Sequence, residues 1–134
     1  MDVVLELASN DSQLRDAATK IGAGAAVAAS RFVVELYSRQ GSDPFNPARG
    51  TAWPDTLATP GSDLAMLSDI ALVSVETAVA NVKRAQRLAR SPLAEQLDAV
   101  VLHGVELVDD VVVLEISVVT AAGVTAQFSV RGGR

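Results

Sequence analysis

The chain reads as an α+β domain: two main helices packed on a small antiparallel sheet, with a three-stranded meander at its C-terminal end. Three observations predict this. Apolar residues recur at three- and four-residue spacing through the first two-thirds of the chain. They alternate with polar ones near its end. Between the two helical stretches lies a loop, Gly41-Ser-Asp-Pro-Phe-Asn-Pro-Ala-Arg-Gly-Thr-Ala-Trp53, whose prolines, glycines and Asx residues fix a path that neither helix nor strand can take. At 134 residues, 1–134 is expected to be a single domain with one core.

The elements follow in order. Val3-Val-Leu-Glu-Leu7 is short, apolar and partly β-branched, an edge strand or an extended arm, and Ser9-Asn-Asp-Ser-Gln13 reads as turn and helix start. From about Ile21 to Arg39 the spacing predicts a helix that buries Ala25, Ala28, Ala29, Phe32, Val33 and Leu36. Gly22 and Gly24 weaken its first turn, and its alanines imply that another backbone approaches closely. Gly41 ends it. Thr59-Pro-Gly-Ser-Asp63 starts a second helical region running to about Arg90, with Ile70, Val73, Ala78, Val82, Ala85 and Leu88 as its buried stripe and a break expected near Val73-Ser-Val75. Ser91-Pro92 then predicts a brief helix over Pro92–Leu97.

For the β region the register itself is predicted. Placing the apolar sets of Val112–Val118 and Val124–Val130 on one face sets Val118 opposite Ala126 and Ile116 opposite Phe128. That needs a hairpin loop of Ala121-Ala122-Gly123. A preceding strand, about Ala99–Val108, joins through Asp109-Asp110. Its inward set is then Val101, His103, Val105 and Leu107, with His103 opposite Ile116 and partly buried.

Composition narrows the function classes. Hydrophobic residues make up 49% but aromatics only 4%, so the core is thin and completes its burial against partners. A net charge of −5 argues against bulk attraction to nucleic acid or anionic membrane, and the lack of cysteine removes disulfides and thiol chemistry. No secretory signal and no uncharged apolar run of membrane-spanning length is visible, so the expectation is a soluble protein folded in the cytoplasm.

Site chemistry is sparse. One histidine leaves carboxylates alone to build a metal site, and they show no ligand spacing. Asp109-Asp110 reads as a turn, His103 lacks marked partners for a catalytic triad, and Gly22-Ala-Gly24 lacks the third glycine of a dinucleotide site. The cluster Lys83, Arg84, Arg87 and Arg90 suits a helix C-terminus, and its expected contact is phosphate or an acidic protein surface. The last strand turns Thr125, Gln127, Ser129 and Arg131 outward, with nothing in the sequence to protect its edge. That edge either accepts a partner's strand or is covered by Val3–Leu7 of the same chain.

The chain resembles the sheath-initiator family of contractile phage tails, the baseplate wedge proteins once called lysozyme-like. The resemblance rests on the small-residue helix leading through Leu36-Tyr37-Ser-Arg39 into Gly41-Ser-Asp-Pro-Phe-Asn-Pro-Ala-Arg-Gly-Thr51. It continues through Val79, Val82 and Gln86, Leu93-Ala-Glu95, and the closing strands ending Gly123-Val-Thr-Ala-Gln-Phe-Ser-Val130. It implies a structural virion protein of the tail baseplate, assembled in the host cytoplasm, arranged with six-fold symmetry near the tail tube. Such a protein offers its sheet to extended arms of the tail sheath protein and touches baseplate wedge proteins. No enzyme activity, catalytic residue, metal or cofactor is implied, and no nucleic-acid or membrane partner. The strand platform is then Leu114–Arg131. The expected partner-facing residues are Asp43, Phe45, Arg49 and Trp53 in the loop, Arg84 and Arg87 on the helix, Glu95, and Thr125, Gln127, Ser129 and Arg131 on the terminal strand. Many members carry Glu-Pro-Arg where this chain has Glu95-Gln-Leu97, so a wedge contact made by that arginine has no counterpart there. Two rivals stand beside this reading. One is a tail component without sheath contact, favoured if the terminal edge is covered within the chain. The other is a small hydrolase using Glu35 or Glu76, favoured by a cleft that unites two carboxylates.

Overall fold

The computed structural model describes residues 23–45, 49–59 and 63–133, together with the backbone of 4–8. The turn expected at 9–13, residues 21–22 at the expected start of the small-residue helix, and the prolines at 47 and 60 lie outside the described residues. Seven elements follow in order: β1 (Val4–Ala8), α1 (Ala23–Leu36), α2 (Trp53–Ala58), α3 (Leu64–Ala89), β2 (Leu97–Val108), β3 (Val111–Thr120) and β4 (Thr125–Gly133). The fold is α+β: α1 and α3 pack together on one face of a sheet ordered β1-β4-β3-β2.

α1 buries the whole expected stripe, from Ala25 through Phe32 to Leu36. Its small residues serve close packing, since a Cβ on Gly24 would lie 2.5 Å from the carbonyl oxygen of Ala94. The helix stops at Leu36, three residues before the expected end, because Thr51 captures the carbonyls of Leu36 and Ser38. α3 is capped by Asp63, whose side chain accepts from the Met66 amide at 2.8 Å. It runs unbroken for 26 residues, long and apolar enough by composition to cross a membrane, and buries one stripe in the core. Its buried stripe is Leu67, Ala71, Ser74, Val75, Ala78, Val82 and Gln86. Val73, Ala85 and Leu88 of the expected stripe are exposed, with Leu88 at 82%. Gln86 decides the rotation: its amide donates to the Glu95 carbonyl and accepts from the Leu97 amide, both at 2.7 Å, which fixes where β2 begins. The brief helix expected over Pro92–Leu97 is a single turn, closed by Glu95 and Gln96 amides on the Pro92 carbonyl.

The β3–β4 register is the one the sequence predicts, with Val118 opposite Ala126 and Ile116 opposite Phe128. The loop is Ala121–Gly123, with Gly123 at φ +85°. The β2 register differs. A bulge between Leu102 and Gly104 puts Leu102, not His103, opposite Ile116. Val105 and Leu107 keep their inward register, opposite Leu114 and Val112. Before the bulge parity flips, so Val101 and His103 stand on the outer face; His103 is exposed, with Nε2 2.6 Å from Ser117 Oγ. β1 pairs in parallel with β4, Val4 to Gln127 through Ala8 to Arg131. The terminal strand is therefore interior to the sheet, and the free edge expected along Thr125, Gln127, Ser129 and Arg131 is covered within the chain. Among the described residues, the edge left open beside the meander is β2.

Asp109 and Asp110 both have positive φ, 49° and 64°, in a two-residue turn between Val108 and Val111. Asn-Gly suits that turn better. Substituting Asp109→Asn with Asp110→Gly is expected to raise thermal stability by about 1 kcal/mol, roughly 4 °C in Tm, read by calorimetry.

Candidate functional site: the clamped loop and its groove

The loop between α1 and α2 is held by one buried carboxylate. Glu35 sits in the last turn of α1, 5% exposed, beside the apolar stripe. Oε1 accepts from Arg49 Nε at 3.0 Å; Oε2 accepts from Asn81 Nδ2 of α3 at 3.1 Å and from the Gly50 backbone amide. Asn81 reaches on to the Gly50 carbonyl at 3.4 Å. Gly50 itself must be glycine: φ is +93°, and a Cβ there would meet the Ser38 carbonyl oxygen at 2.7 Å.

Thr51 makes the second attachment. Its Oγ1 donates to the Leu36 carbonyl at 2.7 Å and accepts from the Trp53 amide at 3.1 Å. Its own amide donates to the Ser38 carbonyl at 2.9 Å, and its carbonyl accepts from Gln40 at 3.2 Å. Trp53 then enters the core at 0% exposure. Tyr37 lies beside it. Burial pushes the Tyr37 phenol above its ordinary value, and the neighbouring Trp53 side chain works against the shift. An exposed ion pair, Arg39 to Asp55 at 2.8 Å, ties the end of α1 to α2 and adds little stability.

The near half of the loop behaves oppositely. Asp43 turns the chain by accepting from the Phe45 amide at 2.9 Å, and Phe45 stands out at 96% exposure. Asp43 and Arg49 line a groove of about 360 Å³ between α1 and α3, with Arg31, Val34, Val82 and Gln86. A smaller cavity of about 100 Å³ adjoins it and adds Arg84 and Leu88. Arg31 and Arg84 make no ion pair among the described residues, so this corner is basic in a chain of net charge −5.

The expected interface residues thus fall in separate places. Asp43, Arg49 and Arg84 come together at the groove, with Phe45 just beyond Asp43 in sequence. Trp53 is removed from any surface role. Arg87 is exposed on the last turn of α3, and Glu95 contributes its backbone carbonyl to Gln86. Thr125, Gln127, Ser129 and Arg131 lie on the uncovered sheet face, where Ser129 and Arg131 line a shallow depression with Glu106, Asp109 and Glu115. Glu35, Asn81 and Gln86 carry the local construction and were not expected to. Glu35 had been singled out only as a possible hydrolase carboxylate and Gln86 only as part of the family resemblance, and Asn81 not at all.

Glu35→Ala is expected to destabilise the fold by about 2–3 kcal/mol in urea unfolding, because the Gly50 and Asn81 donors lose their acceptor. Arg49→Ala leaves the buried Glu35 carboxylate without its countercharge and is expected to cost about 1–3 kcal/mol, moderated by the 48% exposure of the arginine side chain. Trp53→Ala is expected to cost about 3–5 kcal/mol by the same measurement.

No family model, curated protein or solved structure matches this chain.

Proposed function

We propose that this protein is a structural component of the baseplate of a contractile phage tail, or of a related injection machine, and starts sheath assembly by accepting an extended arm of the sheath subunit. The resemblance over Gly41–Thr51 and the closing strands supports the family reading. The observation that carries the mechanism is the edge of β2, open among the described residues. With β4 paired to β1, strand addition moves from the terminal strand to this other edge.

β2 runs 12 residues. The two-residue turn fixes which of its backbone groups are free. Val108 and Val111 close that turn as a hydrogen-bonded pair, so Glu106 and Gly104 also point to β3, while Val105 and Leu107 point their N–H and C=O groups outward. Beside the edge, Leu72, Val79 and Lys83 of α3 and Val100 and Leu102 of β2 wall a groove of about 450 Å³. Alternate side chains of an added strand would meet that wall. In this reading Phe45 and the Arg84–Arg87 surface face baseplate wedge neighbours in a virion assembled in the host cytoplasm, the copies set by six-fold symmetry around the tube.

The β1–β4 pairing favours the second reading, a tail or baseplate component that makes no sheath contact. The hydrolase reading has less support. Glu35 has its oxygens committed to Arg49, Asn81 and Gly50, and Glu76 lines the separate groove beside β2.

Electron microscopy of particles assembled without this protein is expected to show naked tubes on recognisable baseplates; fully sheathed tails would overturn the proposal. Val105→Pro removes an outward N–H and leaves the β3 ladder intact. That variant is expected to retain its far-UV circular dichroism and lose sheath binding. Normal sheath binding by the folded variant would exclude strand addition at β2 and leave the second reading.

A further inference from the structure

We infer that copies of this chain associate head to tail, the β2–β3 hairpin tip of one copy seating in the basic groove between α1 and α3 of the next. Two observations point to this pairing, and neither depends on strand addition at β2.

The first is complementarity. The groove has an apolar floor of Val34, Val82 and Ala85, extended by the exposed Leu88 in the adjoining cavity. Arg31 and Arg84 stand on it without ion pairs among the described residues; the Glu35 charge is met by Arg49, and Asp43 adds one carboxylate to the lining, so the excess is one positive charge. The hairpin tip has the opposite character. Val108 is 52% exposed, Leu107 is 38% exposed, and Asp109 and Asp110 follow without ion pairs among the described residues. Leu107 and Val108 point to opposite faces of the hairpin, so one of them meets the apolar floor while the two carboxylates that follow face a lining in which Arg31 and Arg84 outnumber Asp43.

The second is a local rule broken at the tip. Both turn residues have positive φ, where glycine or asparagine serves at lower cost, yet the chain places two like charges side by side there. Sequences break local rules at sites that serve something other than folding. Aspartate tolerates the turn, but neither carboxylate has an ion-pair partner among the described residues, and arginine is the side chain that grips carboxylates bidentately.

Such an interface joins two different patches, so it propagates around a ring or along a filament and does not stop at a symmetric dimer. Sedimentation velocity on the full chain across a concentration series into the high micromolar range tests it. The expected result is concentration-dependent association. Arg31→Glu with Arg84→Glu should weaken it at least about tenfold, and Asp109→Lys with Asp110→Lys should do the same; all four changes together should restore it. Asp109→Asn with Asp110→Asn keeps residues suited to the turn and should also weaken association, which guards against a misfolded lysine variant. A monomer at every concentration would overturn the proposal, as would arginine variants that associate normally or a four-fold variant that fails to recover.

Discussion

The structure depends on one buried carboxylate. Glu35 leaves water to sit at the junction of α1, α3 and the loop, and a buried charge is tolerated only where it is paired and hydrogen-bonded. Arg49 supplies the countercharge from the surface, while Asn81 and the Gly50 amide fill the other oxygen. Three segments far apart in sequence are thereby brought to one point. The neutral hydrogen bonds of Thr51 could shift by a rotamer; the Glu35 cluster cannot, since moving any donor strands a charge in the interior. The path of the loop at Arg49-Gly50 and its tie to α1 and α3 follow from it, while Thr51 makes the next attachment and leads Trp53 into the core.

From that junction the molecule divides into two sides with different chemistry. The helical side has a basic corner and exposed apolar residues, and the sheet side ends in a carboxylate-bearing hairpin. The net charge of −5 conceals this polarity, which is why the charge total argued only against nucleic acid and anionic membrane and said nothing about where a protein partner would sit. A small-residue core gives the fold limited internal burial, and the exposed Phe45, Leu88 and Val73 lie outside it. Exposed residues of that size on a clamped scaffold need little ordering when they are covered, so contact costs less entropy than it would on a mobile loop.

Much of this was legible in the sequence. Strict alternation and one glycine were enough for the β3–β4 register, because a one-residue slip would turn every apolar side chain to water. The α1 stripe was legible for the same reason at helical spacing. The failures were also physical. A bulge adds a residue without changing composition, so nothing marked the parity flip at His103. The rotation of α3 was set by Gln86, a polar residue buried for its hydrogen bonds, where apolar volume argued for Val73 and Leu88. The covering of β4 by β1 is a long-range parallel pairing, and Val3–Leu7 had equal local reason to be a strand or an arm. At the candidate site, the loop was recognised as fixed, but its fixing residue lay outside it, fourteen positions before Arg49 in α1.

The loop that carries the family resemblance can now be divided by cause. In Arg49-Gly50-Thr51 each residue answers to an internal demand: Arg49 to the charge on Glu35, Gly50 to a left-handed backbone pressed on Ser38, Thr51 to the open carbonyls at the end of α1. A chain with this helix pair needs those three residues whatever it binds, so their match to a motif bears on fold. Asp43 and Phe45 answer to no such demand. Asp43 makes a local turn that presents Phe45, and a wholly exposed phenylalanine contributes nothing to the isolated domain. In the proposed reading, the likeness over Ser42-Asp-Pro-Phe45 is the part that would bear on partners, with the rigid half of the loop holding the presenting half in place.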